Sequence, residues 1–468
     1  MKYLRRVVWP VFLLVLLTAC GGASSGAAAP ETIATAETAS SWTIGEIELL
    51  YNAGRTGYYR TQYRQWEEDT GVYSYNLLTR VDYDTLETEV VCQKPGCEHD
   101  SPDCLAYANV QSADYYVPEE DGSVLFYHRV WAEELRQDML AEYQELLNNP
   151  GELASKYPGE AGEIYVQDCV NVLQQPSYVE RLSADGTSRE RLVSLPEGVN
   201  PELVCRDENA LYGVVREGNL DIPTINYGVR IGLDGQVDTF EIPNSEYTTL
   251  MGGWNGRLVL RHVRSRVDMN TMYLYGNYDG FYALEKESTQ DCWLYDPTTG
   301  EVEVIRLPDE RVTLLSVVGD ILVYCRKDIT RYALCTYDLL TGESNTLYED
   351  NSQIVGATPL RNLAGETHFV NSYVNGSSTM VELSTGLCWD MGTLEEMTGM
   401  SGQGYHVNTP LCETADGRLL LELYSNSSRD PIYTTIPSPV TPEENVADAR
   451  ASLQEIQQYT EQAEEAAS

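Results

Sequence analysis

The chain has 468 residues, in which 31 Lys and Arg face 72 Asp and Glu for a formal net charge of −41. A field of that sign repels a phosphate backbone and anionic headgroups, and no basic cluster offsets it, so nucleic acid is excluded as a partner. The acids are spread along the chain as a solvated surface, and no Asp-x-Asp-x-Asp-Gly loop marks a calcium site.

Lys2, Arg5 and Arg6 precede an apolar run, Val7 to Leu17, that leads into Leu17-Thr18-Ala19-Cys20. Eleven apolar residues interrupted by Pro10 are too few to span a bilayer, and small residues before a Cys fit processing. The pattern resembles bacterial lipoproteins, which implies that residues 1–19 are a signal peptide and that Cys20 becomes a lipidated N-terminus. Loss of three positive charges would leave 28 Lys and Arg against 72 acids, or −44. The expected location is the cell membrane, anchored by acyl chains on its extracytoplasmic face. Residues 20–41 are almost only Gly, Ala, Ser, Thr, Pro and Glu, a composition that buries no core and reads as a flexible tether.

From Trp42 to about residue 440 the chain reads as strands. Tyr is abundant (33) and Phe scarce (5), which suits sheets whose rings keep one wet end. Alternation is clear at Glu301-Val302-Glu303-Val304 and over Arg418 to Leu423. An apolar run ending in Asp-x-x-Thr-Gly-Glu occurs at Asp296–Glu301 and Asp338–Glu343, with a reduced form at Ser384-Thr385-Gly386. Together with Asp185-Gly186 and Asp234-Gly235, the recurring glycines 186, 235, 300, 342 and 386 are spaced by 49, 65, 42 and 44 residues. That period predicts an all-β propeller of four-stranded antiparallel blades, seven preferred and six or eight allowed. The units run about 54–92, 114–195, 200–243, 247–308, 312–349 and 353–397, with a seventh from Tyr405 that Thr43–Leu50 is expected to complete.

In such blades the turns after the first and third strands lie at one end, so the loops after the second and fourth lie at the other. Three long segments, Cys92–Tyr107, Ala132–Pro176 and Val267–Asp291, are all assigned to that second end. The second reads as partly helical, with a stripe of Leu135, Met139, Tyr143 and Leu146 or Leu147 before a loop at Asn148–Gly151. The third carries Tyr273, Tyr275, Tyr278, Phe281 and Tyr282 around Asp279-Gly280, candidates for a binding face or for a hairpin packed over the ring. Residues 441–468 have Val446, Ala449, Leu453, Ile456 and Tyr459 at the spacing of a weak amphipathic helix, a C-terminal tail.

Cys92, Cys97, His99 and Cys104 lie within thirteen residues as C-x4-C-x-H-x4-C, with Pro95-Gly96 as a tight turn. Outside the cell a Cys92–Cys97 disulfide is the first reading; the second is a closed, structural zinc with all four as ligands. Cys325 and Cys335 flank a turn and are a further candidate pair.

The phrase Cys92-x-Lys94-Pro95-Gly96-Cys97-x-His99-Asp100-x-x-x-Cys104, after a strand ending in Glu89-Val90-Val91 and downstream of a lipobox, resembles uncharacterised lipoproteins of Gram-positive gut anaerobes that are similar to WD40-like or TolB-like propellers. The likeness implies an extracytoplasmic propeller and no particular reaction. The five histidines are dispersed and there is neither a Ser elbow nor His-Glu-x-x-His, so no catalytic set is assigned. The expected function is a surface-tethered binding or scaffold module holding a glycan, peptide or protein partner on one loop-decorated face. A carbohydrate-active enzyme, hydrolase or lyase, and a structural subunit of an envelope complex are the alternatives.

Overall fold

The structure, a computed structural model, describes residues 42–65, 74–109, 113–130, 133–217, 224–264, 289–309, 311–328, 331–350, 354–363, 369–374, 377–390, 405–425 and 431–437. The signal peptide, Cys20, the tether, the aromatic segment from Tyr273 to Tyr282 and the C-terminal tail lie outside the described residues.

The strands form a β-propeller. After β1 (Glu48–Leu49), the first sheet holds β2 (Gly57–Gln65), β3 (Ser74–Asp82), β4 (Thr88–Val90) and β5 (Tyr107–Asn109). The second holds β6 (Ala113–Pro118), β7 (Val124–Arg129), β8 (Tyr178–Leu182) and β9 (Arg189–Ser194). The third holds β10 (Glu202–Arg206), β11 (Ala210–Glu217), β12 (Thr224–Gly232) and β13 (Val237–Glu241); the fourth β14 (Thr248–Trp254), β15 (Arg257–Arg264), β16 (Thr289–Asp296) and β17 (Glu301–Ile305). The fifth holds β18 (Val312–Val318), β19 (Ile321–Lys327), β20 (Tyr332–Asp338) and β21 (Ser344–Asp350). The last contains β22 (Ile354–Asn362), β23 (Phe369–Val374), β24 (Ser377–Glu382), β25 (Cys388–Asp390), β26 (Tyr405–Glu413), β27 (Arg418–Ser425) and β28 (Ile432–Pro437).

Counted by hydrogen-bonded sheets among the described residues there are six blades, within the expected range but one short of the preferred seven. The sixth and seventh units of the sequence reading are continuous because β22 and β26 run parallel through Arg361↔Cys412 and Asn362↔Glu413. Within a blade, inner strands are buried on both faces by neighbouring sheets: β27 is buried from Leu419 to Leu423, carboxylate included, where simple alternation would leave every second residue wet. The outer strand β17 keeps Glu301, Glu303 and Val304 exposed.

The repeated turn has a local cause. Asp296 Oδ1 accepts from the Thr298 amide at 2.8 Å and hydroxyl at 2.6 Å, and Asp338 Oδ1 from the amides of Leu340 and Thr341 at 2.8 and 2.9 Å. Gly300 and Gly342 then take left-handed backbone at φ 75° and 74° and return their amides to the Asp carbonyls. The first sheet has the same turn at Asp82 with Leu86 at φ 60° in the glycine position, which hides it from a Thr-Gly search.

Thr43–Leu50 does not complete the last blade. Glu48 and Leu49 pair with Arg206 and Cys205 of β10, which makes β1 a fifth, edge strand of the third sheet, and Trp42, Ile44, Ile47 and Leu49 pack into the cluster between the third and fourth sheets. Apolar burial draws this lead-in there: Ile47 lies where a Cβ on Gly253 would sit 2.3 Å from its Cδ1. The ring instead closes by side chains. Ala53 and Val81 on the first-sheet side pack with Cys412, Leu420 and Tyr433 of β26–β28.

The insertion between β7 and β8 is three helices, α1 (Glu133–Asn148), α2 (Pro150–Lys156) and α3 (Gly159–Leu173), more helical than expected. Asn149 caps α2 by accepting from the Glu152 amide, with Pro150 opening the helix, so the expected loop is a helix start. Tyr143 and Leu146 join the buried cluster with Tyr165, Val166, Cys169 and Leu173, while Leu135 is exposed. Asp168 of α3 ties the insertion to the first sheet, accepting from the hydroxyl of Tyr107 at 2.5 Å and from the Asn109 amide.

Candidate metal centre and closure pocket

The four residues of the Cys/His phrase converge. Their ligand atoms all lie within 4.8 Å of one another, Cys92 and Cys104 buried and Cys97 and His99 half-buried. The His99 Nδ1 is 3.4 Å from Cys104 Sγ. Gly96 at φ 76° and His99 at φ 62° turn the chain back twice, and the Cys97 and Cys104 amides close turns onto Lys94 and Ser101. The Ala106 amide donates to Cys104 Sγ at 3.4 Å. Burial works against a Cys92 thiolate, yet the amides of Lys94 and Leu105 and the thiols of Cys97 and Cys104 together hold its thiol below the ordinary range. Burial pushes the Cys104 thiol up to about 12, helped by the neighbouring Cys92. Three sulfurs and one imidazole at this separation can hold a metal ion.

The loop that carries them is not at the blade end to which the sequence reading assigned it. β4 pairs with Thr79–Val81 and β5 with Tyr75–Leu77, both antiparallel to β3, so β4 and β5 are two halves of one outer strand. Residues 91–106 are a sideways excursion from it, with Leu78 bridging the gap by bonds to Ala106 and Val91. The excursion lies against the second sheet. Gln93 N donates to Gly186 O at 2.8 Å, Arg189 reaches the carbonyls of Leu105 and Tyr107, and Cys92 and Cys104 share a cluster with Phe126 and Leu182. A Cβ on Gly186 would stand 2.3 Å from Val91 O, so this approach requires glycine.

All ten described cysteines are free thiols. Cys325 opposes Leu334 and Cys335 opposes Tyr324 across β19 and β20, a one-residue offset that sends the two sulfurs to opposite faces of the sheet and so forbids the expected bridge.

A cavity of about 360 Å³ lies where the ring closes. β2 contributes Tyr58, Arg60 and Thr61, β6 contributes Tyr115 and Tyr116, β27 contributes Glu422 and Tyr424, and Asn52 precedes them. The guanidinium of Arg60 bonds Glu422 and the Tyr433 hydroxyl, and that hydroxyl also donates to Glu422 Oε1 at 3.3 Å. Burial raises the Tyr58 hydroxyl to about 12, so it is a neutral donor. The start of β2 lies beside the end of β6, where a Cβ on Gly54 would stand 2.9 Å from the Cβ of Pro118, whereas α1–α3 depart from the end at which β6 starts. Sequence reasoning missed this pocket because its residues come from segments some 360 positions apart, as Arg60 and Glu422 illustrate.

No family model and no curated protein matches the chain. Among solved structures it is similar to an oligogalacturonate lyase in complex with manganese (TM-score 0.33, 13% identity, 78% of this chain and 74% of that one). It is also similar to the β-propeller domain of the Trilobed protease from Pyrococcus furiosus (0.43, 9%, 86% and 98%). A third likeness is to an acylaminoacyl peptidase from Pyrococcus horikoshii (0.44, 9%, 84% and 51%), and at such identities these likenesses concern the propeller fold alone.

Proposed function

We propose that the chain is a lipoprotein, tethered through Cys20 to the extracytoplasmic face of the cell membrane, whose propeller binds a glycan, peptide or protein partner and carries one structural zinc. The observation behind the binding role is the closure pocket: three separate strands bring tyrosines and a paired Arg60 and Glu422 to one concavity where the ring closes. The zinc reading rests on the donor set. Three thiols and one imidazole fill a tetrahedral shell and leave no open position for substrate, so the metal's role is to hold the loop. The lipid reading rests on the lipobox at residues 17–20 and its likeness to bacterial lipoproteins. In producing cells, labelled palmitate is incorporated into the chain and is lost in Cys20→Ala. In the purified chain, a mixed glycan and peptide library contains a ligand that raises the melting temperature, and Tyr424→Ala removes the shift. Unlabelled protein that stays in the cytoplasm sinks the tether, and a library with no stabilising member sinks the binding role.

A further inference from the structure

We infer that the closure pocket takes an uncharged sugar ring, one unit of a glycan chain, a reading that rests on the binding role proposed above. Charge is the first argument. The pocket's guanidinium and its carboxylate, Arg60 and Glu422, are bonded to each other, so the lining is neutral as a whole. A phosphate or a uronate would have to compete with Glu422 for Arg60, inside a chain of net charge −41, and an ammonium group would have to compete with Arg60 for Glu422.

Shape and bonding capacity are the second argument. Tyr115 and Tyr424 are half-buried rings on different sheets, and Tyr116, on the opposite face of β6 from Tyr115, is buried edge-on against Phe126 at 5.2 Å. A tyrosine offers an apolar face that ends in a hydroxyl, the complement of a pyranose with C–H faces and hydroxyl edges. Glu422 accepts from both Arg60 and the Tyr433 hydroxyl through Oε1. Asn52 and Thr61 add side-chain donors and acceptors at the rim. A volume of about 360 Å³ is at the small end for ligand sites, suited to a single ring rather than a long segment.

The test is an array carrying neutral oligosaccharides, uronate-containing oligosaccharides and decapeptides, probed with the full chain and with Tyr424→Ala and Tyr115→Ala, which lie on different sheets. Melting curves of each variant check folding, and Tyr424→Phe, which keeps the ring, serves if the alanine variant does not fold. The expected result is neutral-sugar binding that weakens about tenfold or more in each alanine variant and survives in Tyr424→Phe. Binding confined to uronates or to peptides overturns the sugar assignment while leaving the binding role standing. Neutral-sugar binding undiminished in the folded alanine variants overturns the location. An array on which nothing binds overturns both.

Discussion

Asp338 shows what the recurring turn asks of single residues. Its carboxylate is held below the ordinary range by the amides of Thr341 and Leu340, and Gly342 completes the turn in left-handed backbone at φ 74°. A Cβ there would meet only the Tyr337 hydroxyl at 3.5 Å, an ordinary contact, so Gly342→Ala isolates the backbone cost. That substitution lowers stability by roughly 1 kcal/mol in urea unfolding; an unchanged midpoint would mean the turn carries no such strain. His262 tests the opposite regime. It stacks on Trp293 with ring centroids 4.0 Å apart, and burial, then the charge of Arg264, pushes its pKa down from 6.5 to about 4. Between those values the unfolded chain binds a proton that the folded imidazole refuses, so its contribution is whole above pH 6.5 and is lost as pH falls toward about 4. Chemical denaturation across that window shows a falling midpoint, and His262→Gln flattens this part of the slope.

The excursion of residues 91–106 is the element on which sequence and structure part most usefully. The spacing of Cys92, Cys97, His99 and Cys104 offers a Cys92–Cys97 disulfide first and a four-ligand set second, and the structure brings all four ligand atoms together with the thiols free. The excursion's address was not legible, because a strand split into Thr88–Val90 and Tyr107–Asn109 reads as one short strand followed by a loop. Only the shared partner β3 reveals the two halves as collinear. If zinc fastens this excursion, purified protein contains about one equivalent, and Cys104→Ser loses both the metal and several degrees of melting temperature. Metal-free protein with Cys92 and Cys97 joined in a peptide mass map would establish the disulfide instead. The helical insertion follows a similar logic. Its first helix is readable from the Tyr143 and Leu146 stripe, whereas the cap at Asn149 is not, because Asn-Pro-Gly serves equally in a turn and at a helix start.

For the whole molecule, the blade boundaries were readable because each unit contributes its own strands and its own turn, which are local matters. How the units join was not. Two parallel pairs between β22 and β26 merge what the repeat counts separately, and the closure through Arg60, Glu422 and Tyr433 depends on contacts across almost the full chain. The lead-in from Trp42 to Leu49 has the same property, and it bears on the order of assembly. Its neighbours include Cys205, Tyr212, Phe240 and Leu250, so a growing polypeptide has nothing to place it against until the strands of the third sheet have emerged. The earliest part of the folded body therefore settles only once the third and fourth sheets have emerged, and until it does its apolar side chains wait in solvent, a hazard for any nascent chain that stalls before the fourth sheet is complete.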